Sequence, residues 1–175
     1  LCFLREAGWL SHYTSLNQMI GIPQDPHWHP EGDVWEHTLL VCDAMVGAES
    51  WQDGLSCEDR LVIMMACLLH DTGKVTTTKT ILKGGLQRIV SPGHAQVSSR
   101  LSEVFLDQIG APLWLTQRVR PLVQEHMMHL QQPTERAVRR LSKRLEPESI
   151  SHLCHLMLAD ARGRGKASQA NPIHV

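Results

Sequence analysis

The 175-residue sequence is 42% hydrophobic and carries a formal net charge of −1, which predicts one folded domain with one sizeable core. Its longest uninterrupted apolar run, residues 61–69, is far shorter than the ~20 residues that a membrane helix needs. No basic segment precedes an apolar stretch at the start, and the five cysteines include no CxxC pair. We therefore expect a soluble, cytoplasmic protein without a membrane partner.

Charge is distributed unevenly along the chain. Residues 1–60 contain ten Asp or Glu against two Arg, whereas residues 131–175 contain eight Lys or Arg against four acidic residues. The basic C-terminal third predicts either an anionic partner or an ordinary solvated helix face.

Most segments show apolar residues at helical spacing, in chain order from Val34 onward. Residues 61–69 are apolar on every face, which predicts a central helix, and Gly110 ends the helix that contains 97–105. We predict further helices after Pro121, from Thr134 and from the Glu146–Pro147 step. The amphipathic stripes are Val34, Leu40, Val41 and Met45; then Val97, Leu101, Val104 and Phe105; then Ile150, Leu153, Cys154, Met157, Leu158 and Ala161.

One segment departs from helical spacing. Between Thr76 and Val90, β-branched and apolar residues flank Gly84-Gly85, a pattern typical of a tight hairpin. The predicted fold class is therefore all-α, a helical bundle with one small β-hairpin near residues 78–90. We assign 1–165 to one domain, with 1–20 as a candidate end of a preceding helical region, and 166–175 to an irregular tail. Because the sequence starts with Leu1, we expect a fragment of a longer chain.

The adjacent pair His70 and Asp71 stands at the end of the all-apolar helix, before Thr72-Gly73-Lys74. An ordinary helix end with a solvated Asp explains the pair taken alone, since Gly often follows a helix. However, His37 lies on the predicted inner face of its helix, and Asp160 lies at the edge of a buried stripe. Two histidines and two carboxylates from three helices can converge on one cation.

Two further histidines extend this hypothesis. His94 follows the hairpin just ahead of a helix, and His126 follows Glu125. If both join the site, Asp71 can bridge two metal ions, which would activate a water and neutralise phosphoryl oxygens. Lys74, Arg162 and Arg164 are close enough in sequence to contact phosphate, although surface solubility explains each arginine equally well.

The segment before His37 allows two interpretations. His27 and His29 flank Trp28 and can support the metal ligands from behind. The better interpretation is a turn that leads into the helix, in which Asp33 caps the helix by accepting backbone N–H groups.

Three longer strings identify a family. HWHPEGDVWEHT (27–38), CLLHDTGK (67–74) and ADARGR (159–164) resemble the HD superfamily of metal-dependent phosphohydrolases. They are most similar to the HD domain of bacterial multifunctional CCA-adding tRNA nucleotidyltransferases and related polynucleotide adenylyltransferase-like proteins. The resemblance runs from about Gly21 to Arg164 and implies the HD-type helical bundle.

The resemblance also implies a site and a reaction. The implied metal ligands are His37, His70, Asp71 and Asp160, with His94 and His126 as additional ligands, for one or two divalent ions such as Ni, Mn, Mg or Fe. The implied reaction is hydrolysis of phosphomonoesters or 2',3'-cyclic phosphodiesters on nucleotides or RNA 3'-ends, including tRNA, with no DNA expected. We assign catalytic roles to His70, Asp71 and Lys74, and substrate contacts to Lys74, Arg162 and Arg164.

Some features depart from that family or leave other functions open. The segment 76–90 is longer and more hairpin-like than expected, and no nucleotidyltransferase signature occurs, so we expect no polymerisation activity in these residues. The alternatives are a non-catalytic RNA-binding or scaffold domain of a larger nucleotidyltransferase, and a signalling-nucleotide hydrolase. The sequence does not predict an oligomeric state.

Overall fold

Helices form most of the structure, a computed structural model that describes residues 2–49, 51, 54–128 and 134–165. The predicted all-α class with a single small hairpin is confirmed within these ranges. The elements are α1 (Cys2–Glu6), a 3-10 helix (Trp9–His12), α2 (Thr14–Asn17), α3 (Val34–Val46), α4 (Cys57–Leu69), α5 (Lys74–Thr77), β1 (Lys79–Lys83), β2 (Leu86–Val90), α6 (His94–Gln108), α7 (Leu113–Glu125), α8 (Glu135–Leu145) and α9 (Ile150–Gly163).

Helix α4 lies at the centre of the bundle, as its apolar sequence predicts. It packs against α3, α6, α7 and α9, and its residues Val62, Ile63 and Ala66 are fully buried. The prediction that every face of residues 61–69 is buried is wrong at Leu61, near the start of the helix, which is 40% exposed. The centre of the helix is thus surrounded, while its N-terminal end reaches the surface.

The start of α3 confirms the capping interpretation of Asp33. Oδ1 of Asp33 accepts a hydrogen bond from the Glu36 backbone N–H at 2.8 Å, and Oδ2 accepts one from the Gly21 N–H at 2.7 Å. Because the same carboxylate caps the helix and binds the preceding chain, it sets the direction in which α3 enters the bundle. The predicted stripe of α3 is wrong at Leu40, which is 41% exposed.

Helix α9 packs along α3 with its backbone in direct contact. The buried residues of α9 are Leu153, Leu156, Ala159, Asp160 and Gly163, so the stripe is rotated relative to the predicted one. Small residues occupy the contact: a Cβ at Gly163 would lie 2.6 Å from Cγ2 of Val41 and 3.0 Å from its backbone N. The missing side chain of Gly163 therefore permits the close approach of the two helices.

Helix α6 buries a serine face. Ser98, Ser99 and Ser102 are buried, whereas Val104, which the apolar spacing placed in the core, is 63% exposed. The hydroxyls find partners inside: Oγ of Ser98 accepts from the Gly73 N–H, and Oγ of Ser102 donates to the Ser98 carbonyl. Burial of a hydroxyl group costs little free energy when the group is hydrogen-bonded. The spacing of apolar residues alone therefore predicted the wrong buried face for α6.

The hairpin is confirmed with its turn at the predicted glycines. Strands β1 and β2 pair antiparallel from Lys79 with Val90 to Lys83 with Leu86. Gly84 and Gly85 have φ values of 60° and 79°, which is why the two-residue turn requires glycine. The hairpin is largely exposed, and Arg88 joins it to the loop before α3 through an ion pair with Asp25 at 3.2 Å.

Two predicted helix starts are wrong. Pro121 lies inside α7, not ahead of it, so the helix that leads to His126 starts eight residues earlier, at Leu113. The helix expected from Glu146–Pro147 begins at Ile150, where Ser149 caps it by accepting from the His152 N–H. Thr134 does cap α8, as predicted, by accepting from the Ala137 N–H.

The first twenty residues contribute to the common core through Leu10, Leu16 and Met19. The predicted irregular tail, 166–175, lies outside the described residues. In the described part of the chain, every helix is too short or too polar to cross a bilayer.

The contact between α9 and α3 generates a stability prediction. We expect Gly163→Ala to lower the free energy of unfolding by about 1–3 kcal/mol, because the added methyl group must displace Val41 or the helix backbone. Urea denaturation followed by circular dichroism measures the change.

Gly47→Ala is the matched control, since Gly47 has a helical φ of −76° and the nearest atom to an added Cβ is 3.5 Å away. It should change stability by less than ~1 kcal/mol. Equal effects of the two substitutions would contradict the close-approach explanation.

Candidate metal centre

Six side chains of the metal-ligand type converge at one point, where the ends of five helices meet. His37 comes from α3, His70 and Asp71 from the residues that follow α4, His94 from the first turn of α6, His126 from the residue after α7, and Asp160 from the last turn of α9. All six are buried. The structure thus brings together every residue that the sequence proposed as a metal ligand.

The first group, which we call the Asp160 cluster, consists of His37, His70 and Asp160, with ligand atoms all within 4.8 Å of one another. Nε2 of His37 lies 3.0 Å from Oδ1 of Asp160. Oδ2 of Asp71 faces the same point, 3.2 Å from Nε2 of His70 and 3.7 Å from Nε2 of His37. Two imidazoles and two carboxylates therefore surround this position.

The second group, the His126 cluster, consists of Asp71, His94 and His126. Here Oδ1 of Asp71 lies 3.3 Å from Nε2 of His94 and 3.8 Å from Nε2 of His126. The two Nε2 atoms are 3.2 Å apart. Each oxygen of the Asp71 carboxylate thus faces one cluster, which is the arrangement of a bridging ligand.

All four histidines present Nε2 to the centre, because Nδ1 of three of them is hydrogen-bonded on the other side and Nδ1 of His37 lies beside a carboxylate. Nδ1 of His70 donates to the Cys67 carbonyl at 2.8 Å, and Nδ1 of His126 donates to the Val123 carbonyl at 2.6 Å. Nδ1 of His94 donates to the Ser91 carbonyl at 2.8 Å, and Nδ1 of His37 lies 2.7 Å from Oε1 of Glu31. These contacts hold each ring with Nε2 toward the centre, where a bound metal would take the place of any Nε2 proton.

The electrostatics hold the carboxylates ionised. Burial alone would raise the pKa of Asp71, but the charges of His70 and Lys74 keep it well below its usual range. Burial would also raise the pKa of Asp160, which a hydrogen bond from His37 and the charge of Arg164 hold well below its usual range. Burial lowers the pKa of His126 to about 3, with the charge of His70 adding to the effect. Burial would lower the pKa of His37, but the carboxylates of Asp160 and Glu31 raise it to about 9, so a cation bound here would displace a proton from that ring.

The donor set fits divalent cations. Nε2 of His70 and Oδ1 of Asp71 are buried and make no hydrogen bond to any described residue. Buried polar atoms without partners are costly, and a cation in each cluster would satisfy them, Nε2 of His70 in the Asp160 cluster and Oδ1 of Asp71 in the His126 cluster. Imidazole nitrogens with carboxylate oxygens suit Mn, Fe, Ni and Zn, whereas all-oxygen sites are preferred by Mg. The arrangement can therefore hold one ion per cluster.

The predicted phosphate-binding cations have different positions. Nζ of Lys74 lies 2.8 Å from Oδ2 of Asp71 and donates to Oε1 of Gln24 at 2.7 Å, so this ammonium group borders the site. Nη2 of Arg164 donates to Oδ2 of Asp160 at 2.7 Å and orients that carboxylate. Arg162 is exposed and, two residues from Asp160, projects from the other side of α9.

Sequence reasoning missed Glu31 and Gln24, and it favoured a turn over a supporting role for His29. Oε1 of Glu31 contacts both His29 and His37. The available signal is the string HPEGD, which places an acidic residue between His29 and His37. Gly73 does more than follow a helix end: a Cβ there would lie 2.3 Å from the His94 carbonyl oxygen, so glycine lets α6 approach the site.

Comparison with known proteins identifies similar sequences over most of the chain. A family model described as "HD domain" matches residues 34–164. A multifunctional CCA protein of Halorhodospira halophila is 31% identical over 170 residues, which cover 93% of this chain and 37% of that relative. One of Cupriavidus metallidurans is 30% identical over 171 residues, covering 92% of this chain and 37% of that relative. The chain thus spans 37% of the length of these relatives, and no solved structure matches it significantly.

The geometry predicts that metal binding stabilises the fold. Because the ligands come from five helices, a divalent ion binds the folded chain in preference to the unfolded one. At 100 times its dissociation constant, Mn²⁺ or Ni²⁺ should add about 2.7 kcal/mol, seen as a higher unfolding temperature that EDTA reverses. Differential scanning fluorimetry measures the shift.

Asp71→Asn should remove the metal-dependent increase, because Asp71 serves both clusters. Asp107→Asn, an exposed residue of α6, is the matched control and should retain it. A metal-dependent increase of equal size in Asp71→Asn would place the binding site elsewhere.

Proposed function

The chain belongs to the HD domain family, a superfamily of metal-dependent phosphohydrolases, and on that premise we propose that it hydrolyses phosphoesters on nucleotides or RNA ends. The observation that carries this proposal is the Asp71 carboxylate, whose two oxygens face the Asp160 cluster and the His126 cluster separately. The relatives that cover most of the chain are named multifunctional CCA proteins, which favours RNA ends such as that of tRNA as the substrate class.

The residues of the site would have separate roles in hydrolysis. His37, His70 and Asp160 would hold one ion, His94 and His126 a second, and Asp71 both. When bound, such ions lower the pKa of a coordinated water and neutralise phosphoryl oxygens. Lys74 places a further positive charge beside Asp71, where it can attract a phosphoryl oxygen of the substrate. Burial of the ligands excludes bulk water and strengthens these electrostatic interactions.

Hydrolysis of p-nitrophenyl phosphate and of 2',3'-cyclic AMP, each with added Mn²⁺, Ni²⁺ or Mg²⁺, tests the proposal. We expect Asp71→Asn and His70→Ala to abolish turnover and Lys74→Met to lower kcat/KM by roughly 100-fold, the scale of one electrostatic group. Asp107→Asn should be as active as the unmodified protein.

Three outcomes would contradict parts of the proposal. Turnover that survives Asp71→Asn would exclude this centre as the catalytic site. Hydrolysis of guanosine polyphosphates or cyclic dinucleotides, without hydrolysis of 2',3'-cyclic AMP, would identify a signalling-nucleotide hydrolase. A metal-loaded protein that hydrolyses none of them would favour a scaffold role.

An RNA-binding function is the second candidate, favoured by the surface of α8. Leu141 and Leu145 of this helix are buried. Four basic residues on the opposite side of the helix are exposed and lie within an arc of ~100° around its axis. With its apolar residues in the core, the helix has no apolar face for a membrane surface. Bidentate hydrogen bonds of 2.9 Å from Arg144 to Glu125 fix α8 beside the end of α7 that supplies His126. The basic face consists of Arg136, Arg139, Arg140 and Lys143.

Binding of a fluorescently labelled tRNA at several salt concentrations tests this role. The triple variant Arg136→Gln, Arg140→Gln, Lys143→Gln should bind more weakly, and the magnitude of the slope of log K against log salt should fall by about 2–3 for three lost phosphate contacts. Turnover of p-nitrophenyl phosphate should stay unchanged.

The control triple variant Lys79→Gln, Lys83→Gln, Arg100→Gln removes the same charge from exposed positions outside α8. If both triple variants lose affinity equally, the effect is one of net charge and not of the α8 face. Equal affinity for DNA of the same sequence would exclude specificity for RNA.

A further inference from the structure

The carboxylate of Glu31 lies behind the metal centre, in the loop that precedes α3. Its side chain is only 4% exposed, and one oxygen, Oε1, lies 2.7 Å from Nδ1 of His37 and 2.8 Å from Nδ1 of His29. The rings of the two histidines meet edge to face with centroids 4.7 Å apart. One buried carboxylate is therefore shared by a candidate metal ligand and by a histidine outside the two clusters.

His37 differs from the other three histidines of the centre in the group that contacts its Nδ1. Nδ1 of His70, His94 and His126 donates to a backbone carbonyl, whereas Nδ1 of His37 contacts a carboxylate. A charged acceptor binds the N–H more strongly than a neutral one and makes the opposite nitrogen a better donor to a metal. The ring of His37 is thereby held with Nε2 toward Asp160 and Asp71.

The loop itself is held in place on both sides of Glu31. Asp33 caps α3 and binds the Gly21 N–H. Nε2 of Gln24 donates to the carbonyl oxygens of Gly32 and Asp33, at 3.4 Å and 3.2 Å, while its Oε1 accepts from Lys74. Glu31 is thus supported by a backbone that is bound to the same centre.

We propose that Glu31, oriented by His29, is a positioning residue that holds His37 in its metal-binding tautomer and so strengthens the Asp160 cluster selectively. The proposal rests on the metal centre of the proposed function. The same three residues also meet the spacing of a metal site of their own. That alternative requires His37 to bind ions through both ring nitrogens, so it is made an outcome of the test.

The experiment measures Co²⁺ binding to the full chain by competition with a fluorescent chelator, which needs no turnover. We expect Glu31→Ala to weaken one class of binding site by about 10–100-fold and to leave the other class unchanged. Glu31→Gln should show a smaller loss, because its amide oxygen still accepts the N–H but carries no charge. His29→Ala should show the smallest loss, since it acts through Glu31.

Glu36→Ala is the matched control. Glu36 is the residue directly before His37 but is exposed, in an ion pair with Arg5. It should leave the affinity of both classes unchanged. Thermal unfolding of the metal-free variants identifies any loss of folding, and Glu31→Gln, which conserves shape, provides the comparison if Glu31→Ala does not fold.

Two further measurements separate positioning from general structural support. In the His37→Ala background, Glu31→Ala should have no additional effect on Co²⁺ affinity, since its action passes through His37. Proton NMR of the protein loaded with Zn²⁺, a diamagnetic ion, should show a downfield Nδ1–H resonance that Glu31→Ala removes.

The outcomes are decisive in either direction. Equal loss of both classes, or no loss of either, overturns the positioning role. A third Co²⁺ ion that is lost with Glu31→Ala would establish a separate metal site instead. If the affinity pattern holds while no phosphoester is hydrolysed, the proposed reaction fails and the role of Glu31 stands; a protein that binds no Co²⁺ overturns the metal centre together with this role.

Discussion

A buried, ionised carboxylate, that of Asp71, is the constraint around which the structure is arranged. A carboxylate in the interior is costly unless cations or hydrogen-bond donors surround it. Lys74 lies 2.8 Å from one of its oxygens, and four histidines, each from a different helix or helix end, surround the two oxygens. The four helices that supply these histidines must therefore have an end where their side chains can reach this charge, and α9 joins them by placing Asp160 against His37.

The close approach of these helices depends on small residues as much as on ligands. Gly73 lies against the backbone of α6, and its N–H is bound by the hydroxyl of Ser98. Gly163 permits α9, which carries Asp160, to lie directly on α3, which carries His37. The 3.0 Å contact between those two ligands is thus a consequence of backbone packing several residues away.

The loop before α3 connects parts of the protein that have separate roles. Through Asp25 it binds Arg88 of the hairpin, through Gln24 it binds Lys74, and through Glu31 it supports His37. The hairpin is thereby joined to the metal centre by one short segment, although it is itself exposed. A change in this loop would affect the orientation of His37, of Lys74 and of the hairpin together.

The sequence by itself determined the class of fold, the hairpin with its Gly84-Gly85 turn, the Asp33 cap and the six candidate ligands. These follow from local periodicity, turn chemistry and short strings of residues, all of which act within a few positions of the chain. Only the tertiary structure decided that Asp71 faces both clusters, that Ser98 and Ser102 are buried while Leu40 and Val104 are not, and that α7 continues through Pro121. It also decided the role available to Glu31, because the 2.7 Å contact between His37 and an acidic residue six positions earlier depends on the path of a loop that residue spacing does not encode.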